Sequence, residues 1–208
     1  MLFIIFVMTA DNQGISGQSR TLIYDAIVNG IVNEITDHPI PQNPADLRAL
    51  NNKISSLKLH SLKGNSQSPL TDTINKKRFI LNENPMGIKW LEFEFYDNRG
   101  VLNYENAQGK KQLLFGMAHN EFSLFPEEGY SDMVGTVYEE GHMYDCATSA
   151  EWSEDKKLKL KVQIIDKYFG NSTMTFSFKD ERIAIRMKSN AEAFLTEYEG
   201  YANGRRER

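Results

Sequence analysis

The middle and C-terminal parts of the chain alternate apolar and polar residues, the period-two pattern of β-strands that bury one face. Uninterrupted examples are residues 91–95, 158–164, 174–178 and 183–187. Turn-forming residues separate such stretches at 97–100, 107–109, 153–155, 169–171 and 179–181. The pattern predicts about eight to ten short antiparallel strands over residues 66–200. Closing this meander into an up-and-down barrel removes both of its edges, and a β-sandwich is the alternative.

The N-terminal part of the chain follows a different, mostly helical period. Residues 1–10 are apolar without alternation, which is typical of a strand covered on both faces. Over residues 19–35 the apolar positions recur at helical spacing and predict an amphipathic helix. Three prolines within residues 38–44 predict a linker. Asn43 as N-cap, followed by Pro44, then predicts a second helix that ends near Gly64.

The C-terminal end predicts a short helix and a tail. Asn190 is the expected N-cap of a closing helix over residues 191–199, with Phe194 and Tyr198 on one face and Gly200 after it. Residues 201–208 are polar and are expected to form a frayed tail. The predicted layout is a strand–helix segment over 1–40, a proline-rich linker and helix over 41–65, a mainly β barrel over 66–200 and the tail over 201–208.

Charge and composition argue against several classes of protein. The 208 residues carry a net charge of −4 with a pI near 5.6, so no overall positive field favours a nucleic-acid partner. Cys146 is the only cysteine, which excludes an intrachain disulfide. The longest apolar run, residues 2–8, is far shorter than the roughly 20 residues of a membrane-spanning helix. We therefore expect neither a nucleic-acid partner nor a membrane span.

Several stretches of the barrel region resemble one known family. They include Asn-Glu-Asn-Pro-Met-Gly-Ile-Lys at 82–89, Ala-Glu-Trp at 150–152, and residues 166–179, 183–188 and 190–200. Together they resemble the C-terminal extension of bacterial serine hydrolases of the β-lactamase and penicillin-binding-protein superfamily. Phe-Val-Met-Thr-Ala-Asp at 6–11 and the helix after it resemble the last strand and helix of the hydrolase domain itself.

This resemblance implies an accessory domain whose partner is a hydrolase domain on the same full-length polypeptide. The parent protein would then lie outside the cytoplasm, in the periplasm or on the cell surface. On the same resemblance, residues 1–40 would be the end of a truncated hydrolase domain, and every catalytic element would lie upstream of Met1.

The catalytic motifs of that superfamily do not occur as a set in this chain. The active site needs Ser-x-x-Lys, a Tyr-x-Asn or Ser-x-Asn element, and Lys-Thr-Gly or His-x-Gly. Ser-x-x-Lys occurs at Ser55/Lys58 and Ser153/Lys156, which is close to the chance expectation, and Tyr-x-Asn at Tyr96, Tyr104 and Tyr201 is equally generic. Lys-Thr-Gly and His-x-Gly are absent from the sequence. We therefore expect no catalytic residues and no enzymatic activity in this chain.

Metal and cofactor sites are not expected either. Oxygen and nitrogen ligands cluster in one glycine-punctuated loop, comprising Glu127, Glu128, Asp132, Glu139, Glu140, His142 and Asp145. The spacing of a calcium loop is missing there, so the favoured interpretation is a solvated acidic rim. The histidines His38, His60, His119 and His142 show no zinc-ligand spacing.

Two further features have structural explanations. Cys146 shares one strand face with Thr148, Ala150 and Trp152, which follow it at every second position. It is interpreted as a small buried hydrophobic residue rather than a nucleophile. The row Lys157, Lys159 and Lys161 is interpreted as a solvated strand face that also discourages pairing at a sheet edge.

Two classes of function remain, and an enzyme with an unrecognised site is a third, weaker class. In the first, the chain is the non-catalytic accessory module of a serine hydrolase. In the second, a lipocalin-like barrel holds a small apolar ligand in its interior. The volume inside the barrel discriminates between them, and the inward side chains Phe93, Phe95, Trp152, Met174, Phe176 and Phe178 are large enough to fill it. Residues 1–35 are expected to pack on the barrel or to form a homodimer with the same segment of a second copy.

Overall fold

The computed structural model describes residues 5–7, 18–38, 41–128, 141, 143–166, 169–191 and 193–208. It divides into two compact units, Met1–Leu59 and His60–Arg208. Within the described residues, the helices are too short or too polar to cross a bilayer.

The N-terminal unit contains the two predicted helices. Helix α1 spans Ser19–Gly30 and is followed by a 3₁₀ turn at Val32–Glu34; helix α2 spans Pro44–Ser56. The Asn43 side chain caps α2 as predicted, because its Oδ1 accepts hydrogen bonds from the backbone N–H groups of Ala45 and Asp46 at 3.1 and 3.3 Å. Of the strand predicted over residues 1–10, only 5–7 are described; they are exposed and form no strand.

Helix α2 ends earlier than the sequence pattern predicted. Its last residue is Ser56, and Leu57 is already extended with ψ 130°. The hydroxyls of Ser55 and Ser56 donate to the carbonyl oxygens of Asn52 and Lys53, a bonding mode that competes with continued helix. The predicted end near Gly64 is therefore wrong.

The second unit is a β-barrel. Within the described residues it has a short helix α3 at Thr71–Ile74, a 3₁₀ helix at Ala193–Tyr198 and ten strands. The strands are β1 Arg78–Leu81, β2 Trp90–Phe95, β3 Arg99–Asn106, β4 Gly109–Met117, β5 Glu121–Glu128, β6 Met143–Glu154, β7 Lys157–Ile165, β8 Phe169–Lys179, β9 Arg182–Ala191 and β10 Gly200–Arg206. The predicted mainly β fold and the strand number are confirmed.

One parallel contact closes the sheet into a barrel. The strand order is β4-β3-β2-β1-β10-β9-β8-β7-β6-β5, in which neighbours are antiparallel. In addition, Gly116 and Met117 of β4 pair in parallel with Ser149 and Ala150 of β6. Strand β5 pairs with the earlier part of β6, from Met143 to Thr148. The closed ring of nine strands excludes the sandwich alternative, and its β4–β6 closure is mixed rather than purely antiparallel.

Aromatic side chains fill the middle of the barrel. The Phe93 ring centroid lies 5.0 Å from that of Phe176, 6.1 Å from Phe178 and 6.5 Å from Phe115. The Trp152 ring stacks on Phe95 at 6.1 Å. Phe93, Phe176 and Trp152 are almost completely buried, as the alternation predicted. The barrel at this level is therefore a packed core.

The C-terminal end differs most from the sequence-based expectation. Residues 200–206, predicted as frayed tail, form β10, which lies between β1 and β9 in the ring. The closing helix is a 3₁₀ helix that begins only at Ala193, and Asn190 belongs to β9 rather than capping a helix. The turn predicted at 169–171 is also wrong, since those residues pair with β7.

Candidate functional site

A pocket of about 620 Å³ lies against the outer side of the barrel, near the turn between β8 and β9. Its lining contains the outward residues Ile80, Asn82, Ser177, Lys179, Arg182, Ala184, Asn203 and Arg205, and reaches Phe178, Ile183 and Gly204. The strand alternation places the first group outside the barrel, because the residues between them, such as Phe79 and Ile185, are buried in the core. A volume of this size suits a small-molecule ligand.

Small residues create the depression. Ala184 of β9 and Ser177 of β8 are paired in the sheet, and Asn203 of β10 is the partner of Ala184 on the other side. The next position on β10 is Gly204, where a Cβ atom would collide with the carbonyl oxygen of Ile80. Strand β1 therefore approaches β10 closely at a point where only glycine fits. The short side chains of Ser177 and Ala184 lie beside the long side chains of Lys179, Arg182 and Arg205, and this difference in length forms the pocket.

Three cations stand in register along one edge of this pocket. Lys179 of β8 pairs with Arg182 of β9, and Arg182 pairs in turn with Arg205 of β10. All three side chains are exposed. Neighbouring strands are about 4.8 Å apart, so the row spans roughly 10 Å at the backbone. We call Lys179, Arg182 and Arg205 the cationic row.

The cationic row forms no ion pair with a carboxylate in the part of the chain that the structure describes, whereas nearby Arg206 pairs with Glu181 at 3.1 Å. Like charges directly opposite each other in a sheet are destabilising. An anion bound at the row would offset this repulsion, and the exposed Ile80 beside Arg205 offers an apolar contact for the rest of such a ligand.

A buried polar network occupies another part of the barrel. The Tyr104 hydroxyl donates to Glu127 Oε1 at 2.6 Å, and Asn106 Nδ2 donates to the same oxygen at 2.9 Å. Lys111 Nζ lies 3.5 Å from Glu127 Oε2. The Tyr198 hydroxyl lies 3.0 Å from the Tyr104 hydroxyl and completes the network. The network ties the 3₁₀ helix to β3 and β5.

The acidic residues around Glu127 in the sequence predict that it lies in a solvated acidic rim, and this prediction is wrong. It is only 3% exposed because its carboxylate is the acceptor of the buried network. Asp145 is exposed on β6, while Asp132, Glu139, Glu140 and His142 lie outside the described residues. In the part of the chain that the structure describes, no group of three metal-ligating side chains comes together.

The Tyr198 pKa is raised well above its ordinary value of 10.0, first by burial and then by Tyr104 and Glu127. A raised pKa means that the folded state holds this proton more tightly, so its stabilisation is fully present below about pH 10 and is lost as the pH rises through the folded pKa. We expect Tyr198→Phe to lose stability less steeply than the wild type above about pH 10, and the two to show the same slope below about pH 9, in urea unfolding.

Tyr201→Phe serves as the matched control for this alkaline titration, since Tyr201 is 70% exposed. It should keep the wild-type slope of unfolding free energy against pH. Equal slopes for Tyr198→Phe and the wild type would show that the buried hydroxyl does not control alkaline stability.

The remaining candidate residues are scattered. Ser55 Oγ and Ser153 Oγ donate to the backbone carbonyls of Asn52 and Lys157, at 3.1 and 3.3 Å. Cys146 is fully buried and its pKa is raised by burial, which confirms the interpretation as a core residue.

The described histidines have separate partners. His119 contacts Glu121, and His60 Nδ1 lies 3.2 Å from Lys161 Nζ. His38 lies in the other unit, beside Asp37.

Comparison with known proteins gives only a general likeness of fold. No family model and no curated protein matches the chain. Among solved structures, a fatty-acid-binding protein from Manduca sexta is 9% identical with a TM-score of 0.40, covering 65% of this chain and 99% of that one. Caenorhabditis elegans lipid binding protein 8 is 11% identical with a TM-score of 0.41, covering 67% and 97% respectively. The REP1-NXSQ fatty acid transporter is 9% identical with a TM-score of 0.41, covering 66% and 96%.

Proposed function

We propose that this chain is a binding module for a small amphipathic anion, which docks in the pocket beside the cationic row. The observation that carries this proposal is the register of Lys179, Arg182 and Arg205, three adjacent cations without an ion-pair partner among the described residues, beside a ligand-sized hollow. Guanidinium groups favour carboxylate, sulfonate and phosphate because their planar donors can bind two oxygens at once. Ile80 and Ala184 would contact the apolar part of the ligand.

The proposed ligand binds on the outside of the barrel, whereas the lipocalin-like alternative places an apolar ligand inside it. An interior apolar ligand would need space at the level where Phe93, Phe176 and Phe178 already touch. The outer pocket needs no rearrangement of that core. The hypothesis of an accessory domain of a serine hydrolase, and the expectation that the chain has no enzymatic activity, stay predictions.

Two related dyes test the proposal. 8-Anilinonaphthalene-1-sulfonate carries an anionic group, whereas N-phenyl-1-naphthylamine has the same rings without it. We expect the full chain to bind the sulfonate more tightly, and Arg182→Gln/Arg205→Gln to weaken that binding at least about tenfold, because each charge-assisted hydrogen bond is worth about 1.5–3 kcal/mol. Fluorescence titration with both dyes measures the difference.

A charge-matched control is Arg99→Gln/Lys110→Gln, which removes two exposed cations on β3 and β4, away from the pocket. It should bind the sulfonate like the wild type. Equal affinity for the two dyes, together with no effect of Arg182→Gln/Arg205→Gln, would contradict an anion site at the cationic row.

A further inference from the structure

The outer surface of the barrel is basic well beyond the pocket. On β9, Arg186 and Lys188 occupy outward positions beyond Arg182 and Ala184, and both are exposed. On β7, Lys159 occupies the outward position opposite Thr175, which in turn pairs with Arg186. Cations on β7 and β9 therefore flank the outward row of hydroxyl-bearing residues on β8. We call the surface formed by Lys159, Arg186, Lys188 and the cationic row the basic face.

The outward positions of β7, β8, β9 and β10, as far as these strands are described, carry no aspartate or glutamate. Lys157 at its border pairs with Glu154 of β6, and Lys161 at another border contacts His60. The six members of the basic face have no carboxylate within ion-pair distance among the described residues. Such segregation is unexpected in a chain whose net charge is −4.

Protection of a sheet edge does not explain the lysines of β7. The sequence suggested that role, but β7 is paired on both sides, with β6 and with β8. The pKa of Lys161 is lowered by burial and by the charge of Lys159, so like charges on this strand repel each other. The lysines of β7 therefore need an explanation other than edge protection.

We propose that the basic face docks onto a lipid membrane surface rich in anionic headgroups. Its cations are spread in two dimensions, about 10 Å apart between β7 and β9 and about 7 Å apart between Arg186 and Lys188 along β9, which matches a plane of charges. Tyr201 and Ile80 on the same side are 70% and 44% exposed and can enter the interfacial region. Each Lys or Arg near an anionic membrane strengthens partitioning roughly fivefold.

A nucleic acid is the less suitable polyanion for this surface. Single-stranded nucleic acids are bound by a groove with several aromatic side chains on which successive bases stack. At the outward positions 171–179 of β8, 182–190 of β9 and 201–205 of β10, the single aromatic residue is Tyr201, whose ring centroid lies 6.0 Å from the Arg186 guanidinium carbon. The membrane proposal does not depend on the pocket, because Lys159, Arg186 and Lys188 lie outside the pocket lining.

Vesicle co-sedimentation of the full chain tests the proposal. We expect binding to phosphatidylcholine vesicles with about 30 mol% phosphatidylserine, weak binding to phosphatidylcholine alone, and loss of binding between roughly 0.05 and 0.5 M salt. Lys159→Gln/Arg186→Gln/Lys188→Gln should weaken partitioning on the order of 100-fold, because three charges are removed. The same variant should still bind 8-anilinonaphthalene-1-sulfonate, so a failure here is distinguishable from failure of the pocket.

The matched control is Lys76→Gln/Lys89→Gln/Lys110→Gln, which removes three cations outside the basic face; Lys76 and Lys89 lie beside Glu94 and Glu105. It should bind anionic vesicles like the wild type, and the circular dichroism melts of both triple variants should show that they are folded. Three results would overturn the proposal: equal binding to both kinds of vesicle, equal losses in the two triple variants, or binding of a single-stranded oligonucleotide in preference to anionic vesicles.

Discussion

Deletion of residues 200–208 is expected to prevent the barrel from folding. These residues contain β10, which pairs with β1 through Leu81, Ile80 and Phe79 and with β9 along most of its length. Its removal opens the ring and leaves two unpaired edges, one of them on the long strand β9. The lost pairing and packing are comparable with the whole net stability of a domain, about 5–15 kcal/mol.

Circular dichroism and urea unfolding measure this effect. The truncated chain should show no cooperative unfolding transition and should aggregate through its open edges. Deletion of the exposed Arg208 alone, which lies beyond β10, should leave the transition unchanged. A cooperative transition near the wild-type midpoint in the chain that lacks residues 200–208 would contradict this role of β10.

The strands that the sequence predicts well are those with large apolar residues at alternate positions. In β7, Leu158, Leu160 and Val162 point inward between lysines, and each is fully buried. Hydrophobic burial decides the orientation of such a strand, because a shift by one residue would expose every apolar side chain. This local signal was sufficient to predict the strand class, the approximate strand number and the closed barrel.

Strand β10 gave no such signal. Its inward residues include Ala202 and Gly204, both of them small, and a Cβ at Gly204 would collide with the carbonyl oxygen of Ile80 on β1. The outward residues Asn203 and Arg205 are polar, so the sequence pattern of this stretch predicts a polar tail. Its position in the ring depends on hydrogen bonds to two distant strands, which a single-sequence pattern does not contain. The same limitation explains why the β4–β6 closure was missed.

The cationic row could not be found from sequence either. Lys179 and Arg182 are close in the chain, but Arg205 joins them only through the pairing of β9 with β10. Arg205 was placed in the supposed tail, and Lys159 was explained by edge protection. The overall negative charge also argued against a basic surface, because net charge does not report how charges are distributed. Cross-strand register was the missing information at the proposed site.

Replacement of Phe93 by alanine is expected to destabilise the barrel by about 3–5 kcal/mol. The ring is fully buried and lies within 6.5 Å of the rings of Phe176, Phe178 and Phe115, so little of its volume can be refilled. Phe122→Ala is the matched control, because Phe122 is 63% exposed on β5, and its cost should stay within about 0.5 kcal/mol. Urea unfolding of both variants gives the two free energies.

The same variant tests whether the wild-type interior has room for a ligand. Removal of the Phe93 ring should leave an apolar cavity, and apolar cavities of that kind stay dry and bind benzene. Benzene should therefore raise the melting temperature of Phe93→Ala and leave that of the wild type unchanged. If benzene stabilised the wild type equally, or if Phe93→Ala cost less than about 1 kcal/mol, the aromatic core would be loosely packed. An interior apolar ligand would then replace the outer pocket as the favoured site.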